Sequence, residues 1–131
     1  MKNFLSIFIK LFRVFEIQHS LVLLLTLQNI FNLSFDSSFR NKVLEKEGMF
    51  KKIAECFKVK ELRGLVLRIL YNFSLEEKAK PMFYDTDCIY ILYELLINFP
   101  EPIIGIELAA LTLNLSTNPK NAEKLASSKY F

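Results

Sequence analysis

Three stretches of the chain are so rich in apolar residues that a helix built from any of them would have little surface left for water. They read Leu25-Thr26-Leu27-Gln28-Asn29-Ile30-Phe31-Asn32-Leu33-Ser34, Leu65-Val66-Leu67-Arg68-Ile69-Leu70-Tyr71-Asn72-Phe73-Ser74 and Glu107-Leu108-Ala109-Ala110-Leu111-Thr112-Leu113-Asn114-Leu115-Ser116. Each closes on an asparagine, one apolar residue and a serine. From Asn32 to Asn72 is 40 residues and from Asn72 to Asn114 is 42. A helix apolar on most faces must be sandwiched between neighbours. Stacking supplies that burial, at ~25 cal/mol per Å² of apolar area removed from water. A period of about 40 residues with this pattern is the mark of stacked helical repeats.

The segments between these stretches also recur in order. After Ser34 the run 35–38 reads as a polar turn, a mixed helix spans 40–47, and Gly48 suits the left-handed position at a helix end. A second helix spans 49–57 and a third begins near Lys60. After Ser74 come a charged helix from Glu76 to about Tyr84, a break at 85–87, and an apolar helix over 88–97 that Asp87 is placed to cap. Residues 98–102, Asn-Phe-Pro-Glu-Pro, turn the chain into the next long helix. Pro119 opens a further helix where its missing N–H costs nothing. Each unit is thus a short polar helix, a medium helix and a long apolar one. The predicted division is a partial unit over 1–34, units over 35–74 and 75–116, and the start of another over 117–131. Leu108, Leu111, Leu113 and Leu115 would then lie uncovered in the last long helix. That predicts self-association through uncapped ends.

The first fifteen residues, MKNFLSIFIKLFRVF, contain no acid, and Lys10 and Arg13 interrupt the apolar run. No small-residue cleavage site follows. The segment reads as a packed amphipathic helix rather than a targeting peptide. The apolar run 21–25 is far short of the ~20 residues a membrane span requires, so no membrane insertion is expected.

Composition narrows the function classes. Only three glycines argue against an all-β fold built on tight turns. A net charge of +3, with Lys and Arg scattered, offers no basic stripe for nucleic acid. Cys56 and Cys88 form no CxxC pair and have no histidine cluster beside them; they read as reduced, buried thiols. His19, the single histidine, has no nucleophile or second metal ligand near it and reads as solvent-facing or capping. Glu76-Glu77 read as a solvated helix start, where negative charge is favourable, rather than a catalytic pair. No G-x-S-x-G, H-E-x-x-H or phosphate loop occurs, so no enzyme, cofactor or metal site is expected.

The informative polar positions are Asn32, Asn72 and Asn114. An amide carries both a donor and an acceptor, so a row of them can clamp the backbone of an extended peptide. They can equally satisfy local backbone groups at each helix end, and both readings stand. All three are Asn-x-Ser, but the helical setting and the lack of a secretory signal argue against glycosylation. One turn earlier on the same face lie Gln28, Arg68 and Ala110, with Arg68 the only fixed charge among them. Two turns earlier lie Leu24, Gly64 and Ile106, where Leu24 and Ile106 read more simply as core.

The Asn-Leu-Ser endings resemble those of the armadillo-repeat family. A narrower set of residues resembles the kinesin-associated protein family. These are Asn32-Leu33-Ser34-Phe35-Asp36 with Phe39-Arg40-Asn41-Lys42, then Met82-Phe83 with Thr86-Asp87-Cys88-Ile89, then Asn114-Leu115-Ser116 followed by Asn118 and Asn121. The likeness covers about 25–131. Two departures are Pro81, inside a helix that must then start late or kink, and Lys129-Tyr130 where a turn glycine is expected. The resemblance implies an all-α fold, a right-handed armadillo superhelix (α-solenoid) truncated at both ends, as in a fragment or reduced relative of a longer array. It implies that Asn32, Asn72, Asn114, Gln28, Arg68 and Ala110 line a protein-binding groove. It further implies a non-catalytic adaptor that holds kinesin-2 motor tails and links them to cargo adaptors in microtubule-based and intraflagellar transport, in the cytoplasm beside the cytoskeleton or cilium. The rival readings are the same fold with a nuclear-import or adhesion client, and a membrane-surface helical protein. A basic import ligand would call for tryptophans beside the asparagines, and the chain has none.

Overall fold

The computed structural model describes residues 20–98 and 105–127. Among the described residues there are eight α-helices and no strand. They are α1 (Ser20–Leu33), α2 (Ser37–Glu45), α3 (Met49–Glu55), α4 (Arg63–Phe73), α5 (Lys80–Tyr84), α6 (Cys88–Ile97), α7 (Ile106–Ser116) and α8 (Pro119–Ala126). The readings made for residues 1–15, His19, residues 99–102 and Lys129-Tyr130 lie outside the described residues.

The three long apolar helices are neighbours: α1 packs on α4, and α4 on α7. Their buried sides carry Leu23, Leu27 and Ile30, then Val66, Ile69, Leu70 and Phe73, then Leu108, Leu111 and Leu115. The shorter helices form the other side of the core, with α3 packed on α2 and α4, and α6 on α7. Phe50 of α3 links two units. Its ring lies 4.9 Å from Phe83 of α5, edge to face, and 6.0 Å from Phe73 of α4. Aromatic pairs at these separations gain attraction beyond the area they bury.

Local chemistry moves several predicted boundaries. The mixed helix begins at Ser37, not at 40, because the Asp36 side chain accepts from Ser38 N and so caps it. Serines read as turn residues are its first turn. Gly48 takes a left-handed conformation, φ +77°, between α2 and α3. The second helix ends at Glu55 and tightens into a single 3₁₀ turn over Cys56–Lys58. The charged helix predicted from Glu76 is a 3₁₀ turn, Glu77–Ala79, followed by α5 from Lys80. Pro81 delays that helix, being tolerated only in its first turn. Helix α6 has the bounds read from sequence and Asp87 stands at its N-cap position, but the Asp87 side chain makes no capping bond. The Asp87 carboxylate reaches Lys58 at 2.8 Å instead, and Thr86 Oγ1 accepts from Cys88 N at 3.2 Å. Asn118 caps α8, accepting from Lys120 N and Asn121 N, with Pro119 in its first turn.

The expected uncovered end is largely covered. Leu108, Leu111 and Leu115 are buried, with α8 packed on α7, and only Leu113 of the four is exposed. Ile106, read as core, is 80% exposed. Among the described residues no helix is long and apolar enough to cross a membrane.

Candidate protein-binding face

The row α1–α4–α7 buries one stripe of each helix and leaves another outward. On α1 the exposed positions include Leu21, Leu25, Gln28 and Asn32, spaced three and four apart as one helical face requires. On α4 they include Gly64 and Arg68; on α7, Ile106 and Leu113. Leu24 is half-buried against the core. Of the predicted residues, Gln28, Asn32 and Arg68 are exposed, Ala110 and Asn114 are half-buried, and Asn72 is buried. The face is apolar with few charges. Arg68 is not alone on it: Arg68 Nε lies 3.7 Å from Glu107 Oε1, both side chains well exposed.

The asparagines bond between helices. Asn72 Nδ2 donates to Ser34 Oγ at 2.8 Å, and Ser34 Oγ in turn donates to the Phe31 carbonyl at 2.6 Å. One unit along, Asn114 Nδ2 donates to Ser74 Oγ at 2.9 Å, and Ser74 Oγ donates to the Tyr71 carbonyl at 2.6 Å. Each serine hydroxyl is therefore acceptor and donor at once, as its two lone pairs and single proton allow. Sequence reasoning weighed a local cap against a peptide clamp and missed this bond between units. The signal was there: donor and acceptor belong to one Asn-x-Ser motif that recurs at the stacking period.

A charged cluster at the edge of the row was also missed. Arg40, only 9% exposed, donates through Nε to Glu76 Oε1 at 3.0 Å and through Nη1 to the Ser34 carbonyl at 2.9 Å. Its Nη2 is 2.9 Å from the same carboxylate, to which Ser37 Oγ also donates at 2.8 Å. The Ser37 hydroxyl and Arg40 hold the Glu76 carboxyl below its usual range, against a smaller upward push from burial. Glu76 is therefore a bridge between units rather than a solvated group, whereas Glu77 is the exposed first residue of the 3₁₀ turn that follows.

Reaction chemistry finds little to work with here. Cys56 and Cys88 are free and buried, and burial pushes both thiols up to about 11, which keeps them protonated and unreactive near neutrality. Among the described residues no three His, Cys, Asp or Glu side chains converge on a metal position. The arrangement offers shape, a few hydrogen-bonding groups and an exposed ion pair, which are the means of a protein-binding surface.

No solved structure matches the chain. The profile of the kinesin-associated protein (KAP) family, a family of non-catalytic adaptors, matches residues 1–130. Nearly the whole sequence is covered, and the chain belongs to the kinesin-associated protein family.

Proposed function

We propose that this chain is a section of a right-handed armadillo superhelix that binds kinesin-2 motor tails and links them to cargo in microtubule-based transport, including intraflagellar transport. In this reading units over 35–74 and 75–116 form its centre, with parts of neighbouring units over 1–34 and 117–131. It acts in the cytoplasm beside the cytoskeleton or cilium. One observation supports the reading: the three long helices pack in a row, α1 on α4 and α4 on α7, with Gln28, Asn32 and Arg68 exposed on them. Arg68 and Gln28 supply directional contacts, and the exposed Leu25, Ile106 and Leu113 supply apolar area. Because the Asn72 and Asn114 amides already bond to serines, their part in binding is mainly to fix the spacing of the row.

The test is an anisotropy titration with labelled kinesin-2 tail fragments, beside thermal melts of each variant. Arg68→Ala should weaken binding several-fold and flatten its salt dependence, since an exposed cation is screened by salt. Asn32→Ala should weaken binding without lowering the melting temperature. Lys78→Ala, exposed and away from the row, should change neither. Unchanged affinity in both Arg68→Ala and Asn32→Ala would move the binding surface elsewhere.

A further inference from the structure

Helix α8 carries one basic side chain that does not behave like a surface lysine. Lys124 Nζ donates to the Tyr84 carbonyl at 2.5 Å and to the Thr86 carbonyl at 3.2 Å. It also lies 4.8 Å from the ring centroids of both Tyr84 and Tyr90. Two aromatic faces within about 6 Å attract an ammonium through their quadrupoles. The Tyr84 carbonyl is at the C-terminus of α5, where no intrahelical donor is available. Asp87, close by, is held below the usual carboxylate range chiefly by Lys58, with a smaller contribution from Lys124. The corner between α5 and α6 thus converges two rings and two carbonyls on one point. Both rings are also partly open to solvent, Tyr84 at 39% and Tyr90 at 49%.

We propose that the Tyr84–Tyr90 corner is a binding site for a primary alkylammonium, filled in cis by Lys124, and that this occupancy latches α8 onto α5 and α6. The ligand class follows from the shape. Three N–H donors on one point fit two converging carbonyls between two rings, whereas the flat, forked guanidinium spreads its donors apart.

Rescue of the full chain by a small ammonium tests this. Lys124→Ala removes the ammonium and leaves the cradle, and should lower the melting temperature by roughly 3 °C or more. n-Propylammonium chloride should restore part of that loss, relative to sodium chloride at equal ionic strength. It should do nothing comparable for wild type, whose cradle is filled, or for Lys120→Ala, a neighbouring exposed lysine. Tetramethylammonium, which has no N–H to donate, should rescue less. Equal effects of n-propylammonium on all three proteins would overturn the proposal. If Lys124→Ala does not fold, Lys124→Met and Lys124→Arg keep the packing stem and should both melt below wild type. Wild-type melting in both would equally overturn it.

Discussion

The two junctions between units share one bond and differ in almost everything else. Where α4 and α5 meet α1 and α2, the Asn72–Ser34 bond is accompanied by an ion pair, Arg40–Glu76, tied to Ser37 and to the Ser34 carbonyl. Where α7 and α8 meet α4, α5 and α6, the Asn114–Ser74 bond is accompanied by lysines and a neutral amide. Lys80 Nζ donates to Thr117 Oγ1 at 2.9 Å, and Asn121 Nδ2 donates to the Lys80 carbonyl at 2.7 Å. Lys124 fills the tyrosine corner. The first junction is thus closed by a largely buried pair of opposite charges, whereas at the second Lys80 and Lys124 reach neutral oxygens and the ion pair that crosses it, Arg68–Glu107, is well exposed. The amide–hydroxyl bond and the apolar stripes recur at both junctions, and the polar groups around them differ.

Substitutions can break or sharpen that contrast. The largest loss should come from Phe50→Ala, because this ring touches Phe73 and Phe83 together and serves the first junction. A buried Phe→Ala change costs ~3–5 kcal/mol, and chemical denaturation should show it as a fall in midpoint. If the loss is below about 1 kcal/mol, the first junction does not depend on its core. Arg40→Met comes next. It leaves the Glu76 carboxylate half-buried and the Ser34 carbonyl short of a donor, for about 2 kcal/mol. Lys80→Met, its counterpart 40 residues on, abandons only neutral or exposed groups and should cost less. An equal cost would mean that the two junctions are electrostatically alike.

The shared bond gives a smaller and paired expectation. Asn72 is buried and Asn114 half-buried, so Asn72→Ala should cost about 1–2 kcal/mol and Asn114→Ala roughly half of that. Adding Ser34→Ala to Asn72→Ala should cost less than the sum of the two single changes, since both remove one interaction. Full additivity in that cycle would deny the bond. The smallest effect is on pH dependence. The Glu76 pKa is lowered in the folded chain, so its contribution is complete above the ordinary carboxylate value near 4.5 and is lost as pH falls through the lower folded value. Melts of Glu76→Gln should therefore lose less stability than wild type between pH 5 and about 3. Identical acid profiles would remove Glu76 from the first junction.

How legible these features were depends on the reach of the interactions behind them. The bounds of α6 were readable because its apolar run is fenced by Asp85, Thr86 and Asp87 and by Asn98. The left-handed Gly48 was readable because few residues other than glycine adopt that conformation. Asp87 misled because a cap is a local inference, and its carboxylate finds Lys58, brought close only by the stacking of α3 on the following corner. Arg40–Glu76 and Lys124–Tyr84 join residues 36 and 40 apart, and nothing in the types of those residues announces the pairing. The start of α2 was missed for a simpler reason: Ser37 and Ser38 favour turns by composition, and Asp36 turns that preference into a first helical turn. For the residues expected to line a groove, the periodicity puts Gln28, Arg68 and Ala110 one turn before Asn32, Asn72 and Asn114. It could not show Glu107 beside Arg68, which depends on how α7 leans on α4.

The serine relay has a consequence for symmetry. At each junction the amide comes from the later helix and the hydroxyl from the earlier one, so the contact has a head and a tail. Such a surface is heterologous: a twofold axis would place amide against amide and hydroxyl against hydroxyl, and the bond would be lost. Among the described residues the run of motifs ends at Ser116, whose exposed hydroxyl donates back to the Thr112 carbonyl at 2.7 Å and still has lone pairs to accept with. A further unit that repeated this bond at Ser116 would have to arrive amide first, and two copies of the chain in twofold symmetry could not form it with each other.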